Sequence, residues 1–384
     1  MTEFDSSHVR NWISREQRAG RLRAGALMVC HGHQKPFRLC FGSRSQNVPR
    51  DEVSEDTAFW IASMTKPVVT VAAMRLIEDG KMTLHDAVTN YVPGFGSLGV
   101  MECDAGLVPL QRPVTVLDLM THSSGLTYGA FGDEPIHREY RRLCAYDFQS
   151  DNATMASRLA QLPLLHQPGE VFEYGMSTDL LGRVIEVVAG ETLDIVLRRL
   201  VLDPLGMHRT GFLPDPSTTA TLPDSAVSDA FAPPVSTGPC WCSAGAGLFS
   251  TLADYNRFAA MLLGGGRLEG KQLLRPETVA LMSRNNLPEN VGYGDYTDTL
   301  GIIAPTPENG LGFGLSVAVR TKCVQAIPGA VGEILWPGIS GANFWVDPVH
   351  ELTVVLLTHA PEERAQHRID LRRAVYAGLE AGQP

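Results

Sequence analysis

The order of strand-like and helix-like segments predicts an α+β protein of two lobes. One lobe is an antiparallel sheet flanked by helices and built from both chain ends; the other is mostly helical and inserted between them. Three observations carry this prediction. Strand character is confined to residues 24–31 and 37–42 near the N-terminus and to 312–319, 343–346 and 352–358 near the C-terminus. Between about residues 84 and 230, helical patterns are joined by Gly- and Pro-bearing loops and strand signals are scarce. No internal repeat or low-complexity segment suggests a stacked architecture instead. The expected division is 1–83 with 231–384 for the sheet lobe and 84–230 for the helical lobe.

The elements follow from their patterns. Residues 8–20 space Val9, Trp12 and Ile13 as one helix face and end at Gly20. The stretches 24–31 and 37–42, separated by a polar turn at 32–36, read as a hairpin. Residues 59–61 approach a helix over 63–79, with Val68, Val71, Ala72 and Leu76 on one face and Gly80 at its end. Further helices are expected at 116–122, 154–161, 177–189, 193–201 and 252–263. A last helix is expected from about 362 to 377, with Gly378 just past its end.

Composition bounds the function. The 384 residues are 44% hydrophobic, ample for a sizeable core. The formal net charge is −10, with no basic stripe or tail, which argues against a nucleic-acid partner. No apolar run reaches bilayer-spanning length, and residues 1–5 lack the apolar core of a secretory signal. Seven scattered cysteines read as free thiols, and Cys240-Trp-Cys242 lacks a partner pair for zinc. These features suggest a cytoplasmic protein without a membrane partner; the oligomeric state stays open.

The chemistry centres on Ser63-Met-Thr-Lys66. Residues three apart share a helix face, so the hydroxyl and the amine can meet. A half-buried lysine beside a serine can lose its proton and act as base to the hydroxyl. The helix N-terminus adds free N–H groups, including that of Ser63, for a developing oxyanion. Taken alone the pattern is also met as a serine capping a helix with an exposed lysine. The apolar flanks Trp60-Ile-Ala62 and Pro67 favour the catalytic reading. No G-x-S-x-G is present, since Gly314-Leu-Ser-Val-Ala318 ends in Ala, so the α/β-hydrolase route lacks its nucleophile elbow. His31 and His33 read as surface histidines rather than metal ligands, and His122 as structural.

Several stretches together resemble the serine β-lactamase and penicillin-binding superfamily. They are Trp60-Ile-Ala-Ser-Met-Thr-Lys66, Leu119-Met-Thr-His-Ser-Ser-Gly-Leu-Thr-Tyr-Gly129, Gln167-Pro-Gly-Glu170, Asp203-Pro-Leu-Gly-Met207, Ala244-Gly-Ala-Gly-Leu-Phe-Ser-Thr251 and Phe344-Trp-Val-Asp-Pro348. The likeness runs from about residue 25 to 360. It is nearest to the class C β-lactamase-like carboxylesterases, the family VIII esterases. The resemblance implies a two-lobe β-lactamase/DD-peptidase-like fold.

The same resemblance implies the site. Tyr174, opening Tyr174-Gly-Met-Ser177, matches the family's second landmark and would share a proton with Lys66. Without it, Tyr174 reads as a helix-opening tyrosine. Met176 stands where β-lactamases usually carry an amide-binding Asn. Trp336-Pro-Gly338 stands where they carry a Lys-Thr-Gly or His-Thr-Gly, so the carboxylate grip is missing from that element. By analogy Ile339 supplies the second oxyanion N–H, because Pro337 has none. Trp336 is as readily a core tryptophan as a substrate contact. The expected site is therefore Ser63, Lys66 and Tyr174 as catalysts, Ser63 and Ile339 as oxyanion donors, and Trp336, Gly338 and Met176 as substrate contacts. No metal or cofactor is called for. The expected activity is hydrolysis of short carboxylic esters. A β-lactamase, D-peptidase, amidase or acyltransferase is the alternative, and an inactive binding protein the rival from another class.

Overall fold

The computed structural model describes residues 4–45, 51–102, 106–235 and 240–381. Its framework is a seven-stranded antiparallel sheet. In chain order the strands are β1 (Gly25–His31), β2 (Phe37–Phe41), β3 (Leu311–Phe313), β4 (Ala318–Arg320), β5 (Ile334–Leu335), β6 (Asn343–Asp347) and β7 (Leu352–Thr358). In space they run β3-β4-β5-β6-β7-β1-β2. The C-terminal strand β7 pairs with the N-terminal strand β1, Gly25 opposite Thr358 and His31 opposite Leu352. All seven residues of β7 are buried, which its unbroken Val/Leu run requires of a central strand covered on both faces.

Five helices position the rest. They are α1 (Ser7–Arg18), α2 (Thr65–Glu78), α3 (Ser177–Ala189), α4 (Leu252–Leu263) and α5 (Arg364–Ala381). Successive residues of a strand face opposite sides. In β6, Phe344 meets Tyr255 of α4, ring centroids 5.1 Å apart, while Arg372 of α5 lies 4.5 Å over the Trp345 ring. The sheet is thus held between α4 and α5, and α1 packs on α5 through Trp12 and His367. α2 packs against α3, which joins the sheet lobe to the middle of the chain. Among the described residues no helix is long and apolar enough to cross a membrane, and no cluster of His, Cys, Asp or Glu is placed to hold a metal. The six described cysteines are free thiols; Cys103 lies outside the described residues.

Four expectations are corrected. The single strand at 312–319 is two strands, β3 and β4, joined by a turn in which Gly314 N–H donates to Val317 C=O. Ser316 takes φ 60° there, and a Cβ on Gly314 would lie 2.0 Å from the Met282 carbonyl oxygen. Apolar composition at that point hid a turn that lies in the core. The helix at 63–79 opens with a 3-10 turn, Ala62–Met64, before α2 begins at Thr65. The helix at 193–201 runs as α only over Leu193–Leu197 and then widens to a π-helix over Arg198–Leu202. Finally, α5 passes through Gly378 to Ala381. Gly378 does not cap; it makes room, since a Cβ there would sit 2.4 Å from the Asp5 carbonyl oxygen.

That contact makes a prediction. Gly378→Leu should push the segment before α1 off α5 and destabilise the protein by about 1–3 kcal/mol, the usual cost of overpacking. A thermal melt of the variant checks it; an unchanged midpoint would mean that the N-terminal segment contributes nothing to the sheet lobe.

Candidate active site

The nucleophile candidate sits on a tight turn. The short strand Phe59–Trp60 pairs with Phe249–Ser250, and the chain then turns through Ala62 at φ 46° into the 3-10 turn that carries Ser63. Positive φ at a fully buried alanine is a strained conformation, held here by packing on both sides. From the far side Gly338 presses in so closely that a Cβ would lie 2.4 Å from the Ile61 carbonyl oxygen. Only glycine permits this approach, which brings the end of β5 against the Ser63 turn.

Lys66 stands one turn on, in the first turn of α2, and is fully buried. Pro67 follows at no hydrogen-bonding cost, because first-turn N–H groups have no intrahelical acceptor. The Lys66 ammonium has three donors and three oxygen partners: Gly245 C=O at 2.8 Å, Tyr128 Oη at 3.3 Å and Ser63 Oγ at 3.4 Å. It also lies 4.7 Å over the Tyr174 ring. Tyr174 Oη donates to Ser63 Oγ at 2.7 Å and accepts from Trp336 Nε1 at 3.2 Å. Serine, lysine and tyrosine are therefore brought together as expected from the sequence, with Trp336 as a second donor on the phenol.

Surrounding groups hold this arrangement. Tyr174 precedes α3, and His122 packs 4.7 Å from its ring while accepting the Gly175 N–H at 3.4 Å. Burial, and then the Lys66 charge, hold the His122 imidazole well below its usual pKa, so it stays neutral beside the site. Burial lifts the Tyr128 phenol well above its usual range, with Asp179 and Tyr174 adding to the effect. Tyr128 therefore keeps its proton. Asp179 is fully buried; its Oδ1 accepts from Ser243 Oγ at 2.7 Å and from Gly245 N–H at 2.9 Å, fixing the residue whose carbonyl receives Lys66. Burial raises its pKa and the nearby Lys66 charge opposes the rise.

Ser63 and Tyr174 open onto an aromatic pocket walled by Tyr128, Phe131, Phe231, Tyr296 and Trp336. Phe131 and Tyr296 stack with centroids 3.8 Å apart. Ile339 lines the pocket, and no described residue accepts from its N–H or from that of Ser63. Trp336 is thus a lining residue although almost wholly buried. Gly338 and Met176 are not on the pocket wall: Gly338 serves by close packing, and Met176 is 1% exposed, turned into the core at the start of α3. The expectation that Met176 meets the substrate therefore has no support in the geometry. Tyr128, Asp179, Gly245, Arg364 and Arg368 were not singled out from the sequence. Tyr128 lies within the Leu119–Gly129 landmark and was within reach of pattern reading; Arg364 and Arg368 enter the pocket from α5, a juxtaposition that only the folded chain reveals. A larger surface groove of about 990 Å³ contains none of Ser63, Lys66 and Tyr174.

Comparison with known proteins establishes the family. Residues 9–378 match the Beta-lactamase family model, and the chain belongs to that family. It is 31% identical to esterase EstB of Burkholderia gladioli, over 94% of this chain and 92% of that one. A Mycobacterium tuberculosis protein is 36% identical over 81% of this chain and 79% of its own. Among solved structures, EstCE1, a hydrolase with promiscuous acyltransferase activity, superposes with a TM-score of 0.80 at 27% identity, over 97% of this chain and 98% of that one.

The Trp336 donor makes the next prediction. Trp336→Phe keeps an aromatic ring but removes the N–H given to Tyr174 Oη. Losing a hydrogen bond of about 1 kcal/mol that holds the phenol in place should lower kcat/KM for an ester by about 5-fold. An unchanged kcat/KM would show that the Trp336 bond plays no part in the reaction.

Proposed function

We propose that this β-lactamase-family serine hydrolase cleaves short, uncharged carboxylic esters through an acyl-enzyme on Ser63. The observation that carries the reading is the shared hydrogen-bonded cluster of Ser63 Oγ, Tyr174 Oη and Lys66 Nζ at the floor of an aromatic pocket. With one proton already lost from the Lys66–Tyr174 pair, as Lys66 amine or Tyr174 phenolate, Ser63 Oγ attacks the carbonyl carbon while its own proton fills that vacancy. The N–H groups of Ser63 and Ile339 receive the oxyanion. Collapse breaks the ester C–O bond, and the alcohol leaves with that proton. Water then attacks the acyl carbonyl, gives its proton to the same pair, and the acid leaves as Ser63 Oγ is reprotonated.

Substrate class rests on the pocket and on the strand element. Trp336-Pro-Gly338 offers no Lys, His or Thr to a carboxylate, and the mainly aromatic walls favour apolar acyl groups, although Arg364 and Arg368 also line the pocket. Amides are harder to cleave, because the leaving amine must be protonated as it departs. The likeness to esterase EstB and to the lovastatin esterase of Penicillium rubens, 27% identical over 77% of this chain, supports an ester substrate. The likeness to EstCE1, in which acyltransferase activity accompanies hydrolysis, supports transfer to a competing alcohol as a second outcome of the same intermediate.

Acetate to hexanoate p-nitrophenyl esters should exceed nitrocefin and D-Ala-D-Ala peptides in kcat/KM by at least about 100-fold, roughly 2.7 kcal/mol of transition-state discrimination. Equal rates on nitrocefin and a butyrate ester would return the chain to the β-lactamases.

The base is tested separately. Lys66→Arg should be nearly as damaging as Lys66→Ala, since arginine keeps the charge but does not release its proton. Substantial ester turnover by Lys66→Arg would leave Tyr174 as sole base. Ser63→Ala, expected to cost about 1 kcal/mol of stability at most, should lose ester turnover while melting near the wild type.

A further inference from the structure

Behind the active site, between the sheet and α5, lies a small cavity. It is lined by Arg320 of β4, Arg368 and Arg372 of α5, Asn343 of β6 and apolar side chains that include Ile327 and Leu335. It offers about 10 Å³ to the centre of a water-sized sphere, room for one small body. The three arginines are 2%, 9% and 3% exposed. Three guanidiniums at one small cavity, away from solvent, call for a matching negative charge.

Protein carboxylates supply only part of it. Glu333, fully buried, takes Arg320 Nη2 at 3.3 Å on one oxygen and Arg372 Nη1 at 2.5 Å on the other, with Tyr376 Oη at 3.0 Å. Asp347 is turned away: its oxygens accept from Tyr376, from His350 Nδ1 and from backbone N–H groups. Arg368 contacts no carboxylate among the described residues; Nη2 donates to Gly338 C=O at 3.0 Å and Nε has no partner. Nε and Nη1 of Arg320 are also buried without a partner. Burial, and the neighbouring Arg364, pull Arg368 down to about 9, which leaves it charged at neutral pH.

We infer that this cavity binds a small monovalent inorganic anion of chloride size, held by the unpartnered guanidinium N–H groups of Arg320 and Arg368. A guanidinium donates only, so the site presents donors and positive charge. A water molecule offers lone pairs but cannot balance the charge; a halide does both. The anion site stands independently of the proposed ester reaction. It is nonetheless joined to the active-site pocket, because Arg368 lines both and its Nη2 grips Gly338, the residue before Ile339.

The test uses the full chain. Crystals soaked in sodium bromide should show an anomalous peak in the cavity, within hydrogen-bond distance of Arg320 and Arg368. In solution, replacing gluconate by chloride at constant ionic strength should raise Tm by about 2–4 °C, because gluconate is too large to enter. Arg320→Met leaves Arg372 on Glu333 and Arg368 alone as the unpaired guanidinium at the cavity, and should abolish the chloride-dependent rise. Bromide found only on the surface, or a cavity peak that is water, would overturn the inference, as would equal melting in chloride and gluconate. If Arg320→Met fails to fold, the bromide map and the wild-type melts decide alone.

Discussion

The arrangement of the site depends on keeping one ammonium group out of water. Lys66 is fully buried, and an unpaired buried charge is costly. The chain meets that cost with three oxygens and two aromatic rings drawn from separate segments: Ser63 on its own turn, Tyr128 from the helical region, Tyr174 before α3, and Gly245 from the loop that leads to α4. Each partner is fixed in turn, Gly245 by Asp179 and Tyr174 by His122 and Trp336. Satisfying Lys66 thus requires the whole fold, and the resulting convergence places an amine and a phenol on one serine hydroxyl. Around Lys66, which is fully buried, small changes in charge have large effects.

The sheet contributes precision at one point. Its closure by β7 against β1 fixes the end of β5, and Gly338 lets that end touch the Ile61–Ala62 turn. Two N–H groups without internal acceptors among the described residues, those of Ser63 and Ile339, belong to residues that line the same pocket from different parts of the chain. The positive φ of Ala62 belongs to the same constraint, for the turn must be sharp to present Ser63 to the pocket rather than to the core.

Much of this was legible in the sequence because it is written locally. The hairpin of β1 and β2, helices α3 and α4 and strand β7 have clear periodicity and stops, and Ser63 and Lys66 stand out by their spacing together with their apolar flanks and the family resemblance. What escaped depends on contacts between distant segments. The turn between β3 and β4 was hidden by apolar residues that serve the core, and Gly378 looked like a helix stop because nothing local reveals the Asp5 carbonyl beside it. Met176 was expected to meet the substrate, but a backbone turn of one residue decides which side chain faces the pocket, and it faces the core. Arg364 and Arg368 carry no local signal in the sequence, because only the fold sets the terminal helix against the active site.

The central claim is tested most directly by the identity of the residue that forms the covalent intermediate. A fluorophosphonate probe, followed by intact-mass measurement and peptide mapping, reads it without assuming any substrate. The expected result is a single stoichiometric adduct on Ser63, with labelling lost in Ser63→Ala and strongly slowed in Lys66→Ala. An adduct on another serine, or undiminished labelling of Ser63→Ala, would contradict it.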